Sequence, residues 1–557
     1  MKHIKKLASL LLAVVMILAL ATTAFAAPPT SQTFADGNAA DTDGKYTISV
    51  ASTDTHTYTV YQILTGTLVA GESKLGNPAW GSDANATTTY ETVDAFITAI
   101  TASGLSNQQI NAIAESVLKS SASGVGQVSK DNSLNVVPGY YLIKDTTASL
   151  DDGDAKSLNI VAVFNDIQIT PKKGTVTSEK HVDDQNDSDS SDYSKLKDSA
   201  DYDIGDSIPY TLTMTLPDDY ANYKQYKIVF TDDMSKGLTL NADSVKIHYG
   251  ASDTAGTTIT FTEGTGSSYT GGKVYTYTIT DLKAAQATQD ASAALKALGA
   301  GSVISITYTA TLNSNAVVGS DGNPNKFKVD YSSNPNQDAN GTPETNDTPW
   351  DTNIVFTYKT VFNKVDASGN PLTGADFTLY KFVEDQNGTD IYETKKGTWT
   401  DVTSLHTGAG AANPTKTKES YTVGAGTDAK TAENAKFTFA GLDAGIYKLV
   451  ESTTPTGYNT IADQIFTITA THDLESADPK LTALTGTDGA SFTMTTVEQG
   501  NEGSKTPTGE LDANIQNNQG SVLPSTGGIG TTIFYVTGAV LALGAGILLI
   551  TKRRMSR

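Results

Sequence analysis

The chain has 557 residues, no cysteine and a formal net charge of −22. Without cysteine it can hold no disulfide, no catalytic thiol and no thiolate metal site. The acidic excess argues against nucleic acid as a partner, and the length allows roughly three or four domains.

The first element is a secretory signal. Lys2, Lys5 and Lys6 form a cationic start, residues 7–21 an apolar run, and Ala24, Phe25 and Ala26 a small-residue cleavage point. Cleavage after Ala26 makes residues 1–26 the signal peptide. Short stretches of period 2 follow, rich in Thr, Tyr, Val and Ile and bounded by turn clusters: YTISV, YTVYQIL, YTLTMTL, KVYTYTIT, ISITYTATL, FTLYKF and FTITA. They predict a mainly β body of tandem Ig-like sandwiches. Residues 90–120 and 281–300 instead carry helical spacing and read as small helical insertions covering a sheet face or edge.

Two joints divide the body. One lies at residues 169–174, Ile-Thr-Pro-Lys-Lys-Gly, and the other in the Asn- and Pro-rich run 333–349. The expected units are an N-terminal domain over 27–170, a second over 174–345 and a third over 350–520. The second and third each open on a strand with one lysine followed by an acidic turn. Lys364 is notable because strand alternation puts it on the face of Phe362, opposite Val365.

The last block, 521–557, begins with Leu523, Pro524, Ser525, Thr526 and Gly527. An apolar run over 529–550 and the basic cluster Lys552, Arg553, Arg554 follow. As a helix that run would reach about 33 Å, enough for a transmembrane segment, with the basic tail on the cytoplasmic side.

Other constellations are weaker. The acid-rich run 183–192 lacks the glycine and terminal glutamate of a calcium loop and reads as a solvated turn. The six histidines have no ligand-spaced partners, so neither a metal nor a cofactor is expected. Trp80, Trp350 and Trp399 read as core or joint packing.

The C-terminal arrangement resembles a sortase cell-wall sorting signal. That resemblance implies cleavage between Thr526 and Gly527 and transfer of the Thr526 acyl group to an amine; Pro524 biases the segment toward extended geometry. GLDAGIYKLVESTTPTGYN in the third domain resembles the E-box of Cna B-type domains, with Glu451 at the family's glutamate and Ser452 and Thr454 departing from its commoner residues. YDIGDSIPYTLTMTLP and YKIVFTDDMSKGLTL in the second are similar to fimbrial D2-type domains. THTYTVYQILTG and VPGYYLIKD are similar to the N-terminal domain of backbone pilins.

The resemblance to Gram-positive sortase-assembled major pilins implies intramolecular Lys–Asn isopeptide bonds, and chemistry without turnover rather than an enzyme. Burial drives a lysine toward the neutral amine, and a buried acid, kept protonated, can polarise the amide and relay a proton to departing ammonia. For the third domain the implied set is Lys364, Glu451 and Asn517, since Asn517 shares a face with Ile515 while Asn514 and Asn518 lie opposite. For the second it is Lys180, Asp232 and Asn325; Asn323 and Asn334 remain alternatives for the amide, and Asp233 competes with Asp232. In the first domain Lys45 has no clear acidic partner.

A backbone pilin also needs an acceptor lysine. The family's motif ends in Tyr-Pro-Lys, where this chain has Thr170, Pro171 and Lys172; Lys173 could substitute. The implied partners are identical subunits, a sortase and peptidoglycan, with minor pilins and host or glycan ligands as further possibilities. The rival readings are a monomeric wall-anchored adhesin, a tip or base pilin, and a surface enzyme.

Overall fold

The computed structural model describes residues 44–555 apart from 70–74, 103–104, 106, 170–174, 336, 338–340, 407–420, 423–434, 491 and 521–528. Alternation becomes sandwiches throughout. In Asn323–Ser332 every second residue from Asn323 to Tyr331 is buried, so one face of the strand enters a core and the other meets solvent.

The first unit pairs a three-stranded sheet, centred on Tyr46–Val50, with a five-stranded sheet built on Tyr58–Leu68 and Gly139–Asp145. Ile48, Tyr58, Val60, Tyr141 and Val163 fill the space between them. The helical insertion is two helices, Val93–Ile100 and Asn107–Ser116. Thr92 caps the first by accepting from the Ala95 amide, and Phe96, Ile100, Ala114 and Val117 pack onto Ile63, Leu64 and Leu142.

The second unit has two seven-stranded sheets. One contains Thr177–Gln185, Ser207–Thr215 and Val303–Leu312 side by side; the other contains Ile228–Met234, Asn323–Ser332 and Asp351–Phe356. The insertion at 281–300 is not one helix but two short ones, Leu282–Ala287 and Ala293–Lys296. Ser292 starts the second by accepting from the Leu295 amide, since a capping serine opens a helix more readily than it continues one.

The run 333–349 differs from a plain linker. Thr345–Asp347 pairs with the Asn323–Ser332 strand, and Ser333 and Asp347 accept from the Lys156 and Gly153 amides of the first unit. Asp351–Phe356, expected to open the third domain, pairs with Asn323–Phe327 inside the second. Two residues after Phe356, Tyr358–Asp366 begins the third unit.

That unit packs a four-stranded sheet on a seven-stranded one. In the smaller sheet Tyr358–Asp366 runs parallel to Thr506–Asn517, the last strand. In the larger, Gly445–Thr453 lies between Asp376–Glu384 and Gln464–His472. Phe362, Phe377, Phe437, Phe466 and Phe492 form its aromatic centre. Tilted ring pairs such as Phe362 with Phe492, centroids 5.4 Å apart, add to the area they bury.

Ile529–Met555 is helical. Among the described residues no helix is long and apolar enough to cross a membrane, so the transmembrane segment expected over 529–550 finds no support there. The side-chain environments of 529–534 and 548–551 lie outside the description, and residues 535–547 alone reach only about 20 Å.

Candidate functional site: two buried lysine–acid–asparagine sets

In the second unit Lys180, Asp232 and Asn325 are each fully buried. Asp232 and Asn325 sit on neighbouring antiparallel strands; Asn325 is opposite Met234 and Asp232 opposite Phe327, a diagonal pair on one face. Lys180 reaches them from the facing sheet. Its Nζ is 2.5 Å from Asp232 Oδ1 and donates to the Tyr308 hydroxyl at 2.9 Å. Tyr308 is 2.7 Å from Asp232 Oδ2 and accepts from Asn325 Nδ2 at 2.9 Å.

Burial lowers the Lys180 pKa, against the opposing pull of Asp232 and Asp351. Burial raises that of Asp232, against Lys180. Both groups are therefore driven toward their neutral forms, an amine beside a carboxylic acid.

The competing residues have other partners. Asp233 accepts from the Ser268 amide at 3.0 Å and from the Ser267 and Ser268 hydroxyls, which ties down a loop. Asn323 uses its amide on the Val317 backbone and the Val355 carbonyl. Asn334 is half-buried in the loop beyond the strand.

In the third unit Lys364 and Asn517 are fully buried and Glu451 is 5% exposed. Lys364 and Asn517 lie on the two parallel strands, where Lys364 is level with Ile515 and Asp366 with Asn517. Glu451 comes from the opposite sheet. Lys364 Nζ contacts Asn517 Oδ1, and Asn517 Nδ2 donates to Glu451 Oε1 at 2.9 Å and Oε2 at 3.1 Å. Glu451 Oε1 is 3.8 Å from Lys364 Nζ, and Oε2 also accepts from the Ile461 amide at 3.0 Å. Burial pulls the Lys364 pKa down to about 8, despite Glu451. Asn514 and Asn518 are exposed.

The three groups of a set do not occupy three neighbouring strands. Each set takes two strands of one sheet and one of the other, because inward side chains of facing sheets meet in the same core.

An Asn517→Ala chain keeps a free Lys364 amine and gives a signed pH test. The folded pKa of about 8 lies below the unfolded value of about 10.4, so the folded state binds fewer protons between them. Stability should therefore rise from about pH 8 to 10, relieving a penalty of roughly 3 kcal/mol that is complete at pH 7. Denaturant midpoints of this variant against Lys364→Met/Asn517→Ala at pH 7 and 10 measure it; equal pH slopes would refute it.

A third buried lysine was missed. Lys381, 2% exposed, shares a strand face with Phe377 and Leu379, the same alternation that singles out Lys364. Its Nζ lies 2.5 Å from Asp203 Oδ2 of the second unit, 2.8 Å from Asp443 and 3.4 Å from Asp187. Burial alone would lower the Lys381 pKa, but Asp203 and Asp443 outweigh it and hold the ammonium well above its ordinary value. Tyr447 also donates to Asp443 at 2.8 Å. Lys381 is thus a charged tie between two units.

The acid-rich run 183–192 is part of this tie rather than a solvated turn. Ser188 is buried; it donates to the Phe382 carbonyl at 2.7 Å and accepts from the Ile446 amide at 2.9 Å. Asp187, Asp203, Asp206 and Asp443 gather around the ammonium. Trp350 is likewise not a core residue: it is 43% exposed, with Lys326 Nζ 4.2 Å from its ring centre. Trp80 and Trp399 pack on Phe96 and Phe382.

The signal peptide, the acceptor candidates Lys172 and Lys173, and Leu523, Pro524, Ser525, Thr526 and Gly527 lie outside the described residues.

Two stretches of the chain match known family models. Residues 359–482 match the SpaA prealbumin-like fold domain, a stretch containing Lys364 and Glu451. Residues 515–556 match the LPXTG cell wall anchor motif, a stretch containing Asn517 and Thr526. The trypsin-resistant surface T6 protein of Streptococcus pyogenes serotype M6 is 30% identical over 373 residues, 63% of this chain and 65% of that protein. Among solved structures, the T6 backbone pilin of serotype M6 Streptococcus pyogenes aligns at 18% identity with a TM-score of 0.43, over 86% of this chain and 98% of that one. The full-length major pilin SpaD of Corynebacterium diphtheriae aligns at 17% identity and 0.42, over 86% and 98%. The chain thus carries a stretch similar to the SpaA prealbumin-like domain and an LPXTG cell wall anchor motif, and it spans about two thirds, 65%, of the length of the T6 protein it resembles.

Proposed function

We propose that the chain is the shaft subunit of a covalent surface pilus and supports adhesion. Sortase would cut between Thr526 and Gly527 and join the Thr526 carbonyl to Lys172 of the next subunit, or to Lys173 in its place. A head-to-tail joint of this kind does not close, so it builds a filament. The last subunit would pass to peptidoglycan. Within each subunit Lys180 would be bonded to Asn325 and Lys364 to Asn517, with Asp232 and Glu451 as the promoting acids.

The observation that carries this reading is the pair of fully buried lysines, Lys364 against Asn517 and Glu451 and Lys180 against Asp232 with Asn325 joined through Tyr308, in a chain that carries a cell-wall anchor motif. A buried lysine beside an acid and an amide has little worth as a plain ion pair, because desolvation offsets the attraction. The same burial favours the amine as nucleophile, and folding supplies the encounter.

Cell-wall extracts boiled in detergent should show a ladder of high-mass species. Lys172→Ala/Lys173→Ala should collapse it to the monomer. A single band in wild-type extracts would exclude the shaft and favour a monomeric anchored adhesin or a tip or base pilin.

A further inference from the structure

We propose that Tyr308 is a catalytic residue of the second-unit cross-link, carrying a proton from Asp232 to the departing nitrogen of Asn325. The inference rests on the isopeptide reading above and asks how that particular bond can form.

The two sets differ in one respect. Glu451 touches the Asn517 amide nitrogen directly, at 2.9 and 3.1 Å. Asp232 lies against the lysine instead, 2.5 Å from Nζ, and among the described residues it makes no hydrogen bond to Asn325. The Tyr308 hydroxyl fills the gap. It stands 2.7 Å from Asp232 Oδ2, 2.9 Å from Asn325 Nδ2 and 2.9 Å from Lys180 Nζ.

Tyr308 is positioned for this and little else. It lies opposite Tyr210 in the antiparallel pair, with ring centres 5.2 Å apart and the planes nearly parallel, so the phenol cannot swing away from the core. It is 2% exposed, and burial first of all keeps it protonated. A phenol that never ionises can still accept one proton while giving up another.

The step balances as a concerted circuit. Lys180 Nζ, as the neutral amine, attacks Asn325 Cγ; the Nζ–Cγ bond forms and the Cγ–Nδ2 bond breaks. One Nζ proton passes to Asp232 Oδ1. The proton that Asp232 held on Oδ2 passes to the Tyr308 oxygen, and the original phenolic proton passes to Nδ2, which leaves as ammonia. Asp232 ends protonated on the other oxygen and Tyr308 is unchanged. Asp232 alone could accept from Nζ, but its hydrogen bonds among the described residues go to Lys180 and Tyr308 and not to the leaving nitrogen.

The test follows cross-link formation in the full chain made by cell-free synthesis, sampled over time by peptide mapping for the two bonds separately. The Lys364–Asn517 bond in the same molecules reports that the chain has folded. Tyr308→Phe keeps the ring, removes the hydroxyl and should slow only the Lys180–Asn325 bond, on the order of 100-fold. Asp232→Ala should abolish it. If Tyr308→Phe forms that bond at the wild-type rate while Asp232→Ala does not form it, the role of Tyr308 is overturned and the isopeptide reading stands. If wild-type chains never form the bond, that reading falls for the second unit, and Tyr308 with it.

Discussion

A chain carrying Asp232→Ala and Glu451→Ala together is expected to show the full mass of its own sequence, whereas wild type falls below its sequence mass by two molecules of ammonia, and to lose most of its resistance to heat and trypsin. The Lys364–Asn517 bond would span a separation of 153 residues, and the Lys180–Asn325 loop is of similar size. Closing a loop of that length removes unfolded-state entropy worth about 5 kcal/mol, on the relation that describes disulfides. Whole domains hold only about 5–15 kcal/mol of net stability, so each bond would supply a large part of its unit's reserve. The geometry concentrates that effect. Lys364 and Asn517 lie on the first and last strands of the third unit, so the bond would join its two ends. Intact mass and thermal unfolding of the two single variants and the double variant measure the contributions separately. A double variant that still falls two ammonia below its own sequence mass would show that no bond depends on these acids.

The second large effect is expected at the tie between the second and third units. Lys381→Met removes the one ammonium that faces Asp203 and Asp443 at 2.5 and 2.8 Å and leaves both carboxyl groups buried without it. Breaking one side of a buried ion pair typically costs about 3–5 kcal/mol, most of it the penalty of the charge left behind. Asp443, which burial already pushes well above its ordinary value, would be protonated in the variant. The cost should fall on the junction rather than on either core. Hydrogen exchange should therefore quicken at Ser188 and Ile446, which meet across the junction, while amides around Phe362 and Phe437 keep their protection. Unchanged exchange at the junction would show that Lys381 contributes nothing there. The Lys381 ammonium is held charged, which suits a tie, whereas burial drives Lys180 and Lys364 toward the neutral amine.

Much of this was legible in the residues. Alternation in strands such as ISITYTATL and NKFKVDY announced a mainly β body, because a half-buried strand can satisfy its core in only one pattern. The same alternation set Lys364 beside Phe362 and Asn517 beside Ile515. Lys381 carried an equal signal with Phe377 and Leu379 and went unread because the acids it meets are distant in sequence; Asp203 is 178 residues away and Asp443 is 62. The pairing of Asp351–Phe356 in the second unit's sheet was hidden for a similar reason, although Ile354 and Phe356 do pack in the third unit's core. Strand character is local, but the sheet a strand enters depends on which edge lies free.

The sequence by itself determined the strands, the faces of Lys364 and Asn517, and the motif of Leu523, Pro524, Ser525, Thr526 and Gly527. Each follows from neighbours within a few residues. Only the tertiary structure decided that Asp232 meets Lys180 from the facing sheet, that Tyr308 stands between that acid and Asn325, and that the acidic run at 183–192 closes on Lys381. These contacts join segments tens to hundreds of residues apart, and it is the packing of two sheets that sets them within 2.5 to 3.4 Å. Periodicity names the face a side chain takes, while the fold chooses what that face meets.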